Sequence, residues 1–310
     1  MRHPLVSLFI SIGLALGNRF EARAGIAVPP PPLRLAYGAD PVQALDFWPA
    51  NAPPRADSSA MATAPSPLII LVHGGGWSLG TTDNATGRAK IAHFTAAGMA
   101  FATVGYRLVP DARVEDQASD VVHALALLLA NADRLGIDRR RVVLVGHSAG
   151  AHLVALVGTD PRWLHKAGLG FDAIAGIVAI DGAAYDVPQQ MRDAPLLLRP
   201  LYRQAFGTDP VRQRALSPFW QAGAPNVANW LLLHVDRADG NRQTAALAAA
   251  LRRSGSTADI VALPGRGLAG HVASNRRLGD PAYPGTQAVD QWLDRILVAR
   301  IFAARFLTPA

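Results

Sequence analysis

Arg141–Leu156 reads RVVLVGHSAGAHLVAL, and the reading of this stretch decides the fold. Val142–Val145 is a short apolar run, mostly β-branched and closed by Gly146, the pattern of a buried strand. The small and apolar residues that follow predict a helix. Between the two, Gly146-His147-Ser148-Ala149-Gly150 fits G-x-S-x-G. A strand that reverses into a helix within so few residues forces its central residue into strained backbone. Glycines on either side let strand and helix approach closely. The Ser148 hydroxyl is left at the tip of the turn. The helix N-terminus beneath it supplies free N–H groups and a field that favours developing negative charge.

Upstream, Leu68–Val72 (LIILV) predicts a second buried strand, which runs into His73-Gly74-Gly75-Gly76-Trp77. Consecutive glycines at a strand end leave backbone N–H groups uncovered, as an oxyanion hole requires. Further strands are predicted at 33–37, 44–48, 99–105, 174–180, 230–235 and 260–263. Helices are predicted at 85–97, 114–135, 243–253 and 285–306. The Pro-rich stretch 183–229 does not alternate cleanly and is read as an insertion of short helices over the strand ends. Strands alternating with helices argue for a mostly parallel sheet covered on both faces, with the ligand site outside the C-terminal strand ends.

A serine hydroxyl needs a base to take its proton, and the base needs an acid to orient it. In this kind of sheet the chain order is Ser, then Asp or Glu, then His. His271 follows the last core strand, in a loop predicted at 264–271, and is the candidate base. Asp236 and Asp239 follow the strand at 230–235 and are the candidate acids; Asp236, nearest the strand end, is preferred. His73 and His147 are read as packing or turn residues, His152 as structural, and Asp181 as turn-forming. No H-E-x-x-H or carboxylate cluster points to a metal, and no G-x-G-x-x-G or Walker loop to a nucleotide.

The 310 residues, half of them hydrophobic, suit one large α/β domain, expected over 25–310. The net charge is +7, carried by scattered arginines with only Lys90 and Lys166 as lysines. A nucleic-acid surface would want a concentrated basic stripe, so no such partner is expected. The absence of cysteine excludes disulfides, thiolate metal sites and a cysteine nucleophile. Met1-Arg2-His3, the apolar run Leu5–Gly17 and Ala22-Arg23-Ala24 read as a signal peptide over 1–24. That predicts export to the periplasm or beyond, with no stable membrane insertion after cleavage.

Taken together, the chain resembles the α/β-hydrolase superfamily, in its esterase/lipase branch with an H-G-G-G-W loop, near carbohydrate esterases and arylformamidases. The residues that carry the resemblance are His73–Trp77, Tyr106-Arg107-Leu108-Val109-Pro110, Gly146–Gly150 with Ala151-His152, and His271. It implies a sheet of about eight strands with a helical insertion after the sixth, Ser148 as nucleophile and His271 as base. It implies an oxyanion hole from the N–H groups of Gly75, Gly76 and Ala149. The family carries its acid seven residues before a Gln-Ser pair; Gln243-Thr244 stands there and selects Asp236. The expected activity is hydrolysis of a small carboxylic ester through an acyl-enzyme, with no cofactor. An arylformamidase or amidase on the same machinery, or a non-catalytic binding protein of the same fold, are the alternatives.

Overall fold

The computed structural model describes residues 29–51, 64–83, 87–223 and 225–306. The expected signal peptide lies outside the described residues. Eight strands form one sheet: β1 (Leu33–Ala36), β2 (Ala44–Trp48), β3 (Ser66–Val72), β4 (Ala100–Val104), β5 (Ile137–His147), β6 (Gly176–Ile180), β7 (Asn229–Asp236) and β8 (Thr257–Arg266). Their order across the sheet is β1-β2-β4-β3-β5-β6-β7-β8. β1 and β2 form a hairpin, β2 runs antiparallel to β4, and every pair from β4 to β8 is parallel.

The helices are α1 (Arg88–Ala96), α2 (Val114–Ala130), α3 (Ala132–Leu135), α4 (Ala149–Thr159), α5 (Pro161–His165), α6 (Val187–Asp193), α7 (Arg199–Phe206), α8 (Pro210–Ala215), α9 (Pro218–Gln221), α10 (Ala238–Arg253), α11 (Gly267–Arg276) and α12 (Pro284–Phe306). The insertion between β6 and β7 is thus helical, as read from its prolines. Pro stands in the first turn of each of α6 to α9, where its missing N–H costs nothing.

The parallel strands read as unbroken apolar runs because both of their faces are covered. Leu68, Ile70 and Val72 of β3 pack with Leu144, Ile177 and Leu232 against α2 and α4. Ile69 and Leu71 pack with Val143, Val178 and Leu231 against Phe94 of α1 and Trp292 of α12. Every residue of α4 is buried. A Cβ on Gly150 would stand 2.0 Å from the Val72 carbonyl oxygen, and one on Gly158 would stand 2.1 Å from Ile177 Cδ1. These two glycines let α4 lie directly on the sheet.

Two predicted elements end elsewhere, and both bear on the site. β8 continues to Arg266, and α11 starts at Gly267, so His271 stands on a helix and not in a loop. α10 begins at Ala238, five residues earlier than the apolar spacing suggested, and takes Asp239 into its first turn.

Candidate active site

Ser148 stands between β5 and α4 with φ 56° and ψ −118°. Few non-glycine residues adopt this backbone, and its cost is borne by close packing around it. The Ser148 N–H donates to the Ile180 carbonyl at 3.0 Å, tying the turn to β6. A Cβ on Gly146 would stand 2.3 Å from the Gly150 carbonyl oxygen, so the turn closes only with glycine there.

The glycine loop leaves β3, the neighbour of β5. A Cβ on Gly74 would stand 3.0 Å from Ser148 Cβ, so this loop lies against the serine. Gly75 (φ 126°), Gly76 (φ 60°) and Trp77 (φ 61°) all take positive φ. The loop is anchored from several sides. Tyr106 Oη donates to the His73 carbonyl at 2.8 Å, and Gln117 Nε2 donates to that of Trp77 at 2.7 Å. The His73 and Tyr106 rings stack with centroids 4.2 Å apart. Arg107, next to Tyr106, is fixed by Asp120 through Nε at 2.9 Å and Nη2 at 2.8 Å. The sequence-predicted donors Gly75, Gly76 and Ala149 therefore belong to two backbone segments that meet at Ser148.

α7 rests on this loop. A Cβ on Gly76 would stand 2.9 Å from Leu201 Cδ1, and Trp77 packs its ring on Tyr202 and Phe206. His152 joins loop and insertion. Its Nδ1 accepts from Trp77 Nε1 at 3.3 Å, and its Nε2–H donates to the Leu216 carbonyl at 2.8 Å. Burial pushes its pKa down to about 4, in keeping with this neutral tautomer.

His271 is held through both its ring and its backbone. Its carbonyl accepts from His147 Nε2 at 3.0 Å and from Ser274 Oγ at 2.8 Å. The His147 and His271 rings lie 4.5 Å apart, and His147 is the chain neighbour of Ser148. Burial is the main reason His147 sits well below the usual imidazole range; the neighbouring His271 and Lys90 act in the same direction.

The carboxylate on His271 is that of Asp181, Oδ2 to Nδ1 at 2.5 Å, and not that of Asp236. Asp181 follows β6 directly, with φ 43°, and its side chain has no exposed surface. Its N–H donates to the Leu233 carbonyl at 2.7 Å, while Oδ1 accepts from the Val235 N–H at 3.2 Å. Burial, the largest single influence, raises its pKa. The hydrogen bond and charge of His271, Arg237 and the Val235 N–H outweigh it and leave the group below the usual carboxylate range.

Asp236 is corrected accordingly. The pairing of β7 with β8 shifts between His234 and Asp236, which sets Asp236 opposite Arg266. Its carboxylate is 55% exposed and pairs with Arg266 Nε at 2.8 Å. Asp239 accepts from Gln190 Nε2 at 3.3 Å and stands 3.7 Å from Arg237 Nη1, so neither downstream aspartate meets His271. The signal for Asp181 was present in the sequence, as an aspartate closing the strand beside the serine strand. Its Asp-Gly context reads equally well as a turn.

Among the described residues, no group of three or more His, Cys, Asp or Glu is arranged to hold a metal ion. Among them, too, no helix is long and apolar enough to cross a membrane.

Residues 58–167 match the BD-FAE family model. Esterase LipC of Mycobacterium tuberculosis is 33% identical over 213 residues, which cover 66% of this chain and 50% of that protein. Ethyl acetate hydrolase of Pseudomonas putida is 32% identical over 114 residues, 34% of this chain and 32% of that one. The chain thus spans half of LipC and less of the second relative. The crystal structure of esterase B from Lactobacillus Rhamnosis matches with a TM-score of 0.67 at 19% identity, covering 96% of both chains.

Proposed function

We propose that this chain is a serine esterase of the carboxylesterase-like branch of the α/β hydrolases, acting on short-chain carboxylic esters, a reading supported by its similarity to LipC and to esterase folds. Ser148 is its nucleophile, His271 its base and Asp181 its acid. The observation that carries this reading is the 2.5 Å contact of buried Asp181 with His271, where Asp181 and Ser148, in its strained turn, follow the paired ends of the adjacent strands β6 and β5.

The chemistry follows from that arrangement. Ser148 Oγ attacks the ester carbonyl carbon while His271 takes its proton. Asp181 holds Nδ1–H, which leaves Nε2 as the basic nitrogen. The tetrahedral oxyanion is met by the N–H groups of Gly75, Gly76 and Ala149, each donor worth about 3 kcal/mol in the transition state. His271 returns the proton to the departing alcohol, leaving Ser148 acylated. Water then attacks the acyl carbon with His271 again as base, releasing the acid and restoring the serine.

Two observations support a small acyl group. Leu201 of α7 crowds Gly76 in the glycine loop. The Pseudomonas putida relative is named for ethyl acetate.

The test is hydrolysis of 4-nitrophenyl esters from acetate to decanoate, together with fluorophosphonate labelling. Ser148→Ala should abolish both. Asp181→Asn should lower kcat by about three to four orders of magnitude, the loss known when a triad acid becomes an amide. Asp236→Asn should stay within about twofold of wild type, since an exposed ion pair is worth about 0–1 kcal/mol. A severe loss in Asp236→Asn with an active Asp181→Asn would return the acid to β7.

A further inference from the structure

We infer that Arg237 is a positioning residue for the acid of this site: its guanidinium fixes the rotation and the charge of Asp181 so that Oδ2 faces His271. The inference rests on the reading of Ser148, His271 and Asp181 given above.

Arg237 follows Asp236 at the end of β7, and it turns inward where Asp236 turns out. Its side chain is 17% exposed, against 55% for Asp236. Nε stands 3.2 Å from Asp181 Oδ2. The Nε–H is not aligned for a hydrogen bond, so this contact is electrostatic. Nη2 donates to the Gly182 carbonyl at 3.1 Å and stands 3.4 Å from Asp181 Oδ1. Nη1 points to Asp239, 3.7 Å away, and Asp239 in turn accepts from Gln190 of α6. The space for this fork exists because residue 240 is glycine: a Cβ there would stand 3.1 Å from Nη2 and 3.5 Å from Cζ.

Two consequences follow. The first is geometric. Without the guanidinium, the Val235 N–H alone would hold Asp181 Oδ1, and the carboxylate could turn away from His271. A base displaced by a fraction of an ångström loses much of its efficiency. The second is electrostatic. A fixed cation beside Asp181 offsets part of the field that this carboxylate exerts on His271. The titratable and charged groups around the pair are His147 on the β5 side, Arg237 and Asp239 on the β7 side, and Lys90, Tyr185 and Tyr283 behind them.

The experiment is the pH dependence of kcat and kcat/KM for 4-nitrophenyl acetate. It compares wild type, Arg237→Gln, Arg237→Lys and Asp181→Asn, each checked for folding by circular dichroism. Arg237→Gln should lower kcat about tenfold with KM within about twofold, as expected for a misplaced base. It should also move the acidic limb of kcat/KM about one pH unit upward, because a neighbouring cation is gone. Arg237→Lys keeps the charge and loses the fork: its limb should stay at the wild-type position while kcat falls about threefold. Wild-type kcat and an unmoved limb in Arg237→Gln, beside a crippled Asp181→Asn, would overturn the role of Arg237 alone. If Arg237→Gln does not fold, a wild-type kcat in Arg237→Lys overturns it. An Asp181→Asn enzyme as fast as wild type would instead defeat the underlying reading and take this role with it.

Discussion

His147 shows how a residue with no part in the proposed proton transfer can set the geometry around it. It precedes Ser148, is buried, and carries a neutral ring whose Nε2–H donates to the backbone of His271. The strand that leads into Ser148 thereby holds the helix that bears His271, across 124 positions of sequence. His147→Phe keeps the ring and removes the donor, leaving the His271 carbonyl with Ser274 Oγ. The loss of that bond should cost about 1–2 kcal/mol in a denaturant titration. It should also lower kcat by about one order of magnitude, since α11 is then held less firmly relative to Ser148. An unchanged kcat with full loss of the stability increment would show that His147 serves the fold only.

The elbow element β5–turn–α4 rests on close backbone approach, and its glycines carry that approach. Gly150 is the tightest: an alanine methyl there would meet the Val72 carbonyl oxygen at 2.0 Å and the His73 carbonyl oxygen at 2.6 Å. Neither neighbour is a flexible side chain, so neither can yield cheaply. Gly150→Ala should therefore destabilise the protein by about 3 kcal/mol through overpacking. Gly98, which has open space around it and only a positive φ of 78° to satisfy, should cost about 1 kcal/mol as alanine. Urea midpoints at constant m would check the pair. Similar costs at both positions would mean that α4 can slide on the sheet.

Three buried histidines connect the site to the stability of the whole molecule. Burial pushes His73 and His152 down to about 4 from an ordinary value of 6.5, and His147 lower than the usual range as well. Between pH 6.5 and 4 the unfolded chain binds protons at these positions and the native protein does not. Unfolding free energy must then fall as pH drops through that window, by about 1.4 kcal/mol per pH unit for each histidine. Asp181, held below the usual carboxylate range, adds a loss at still lower pH, as the pH falls past the ordinary value of 3.8 toward its folded one. Urea unfolding at pH 7, 6, 5 and 4.5 should give a slope equivalent to about two to three protons near pH 5. A flat profile would mean that all three rings are protonated in the native protein.

The sequence by itself determined the order of strands and helices, the strand–turn–helix at Ser148, the glycine loop at its neighbour and the helical insertion. Each of these is local. A run such as LIILV, a G-x-S-x-G turn or a proline in a first helical turn carries its instruction within a few residues. His271 was singled out by the sequence too, because no other histidine follows His234. The acid was not. Asp181, Asp236 and Asp239 all stand at the same rim of the sheet, and the sequence does not say which way a side chain turns once a strand has ended. The shift in the β7–β8 pairing turns Asp236 to Arg266 and solvent. The positive φ of Asp181 and the bonds it makes to β7 aim its carboxylate at a helix 90 positions away. That choice was left to the tertiary structure, because it depends on contacts between β6, β7 and α11 that form only when all three have packed.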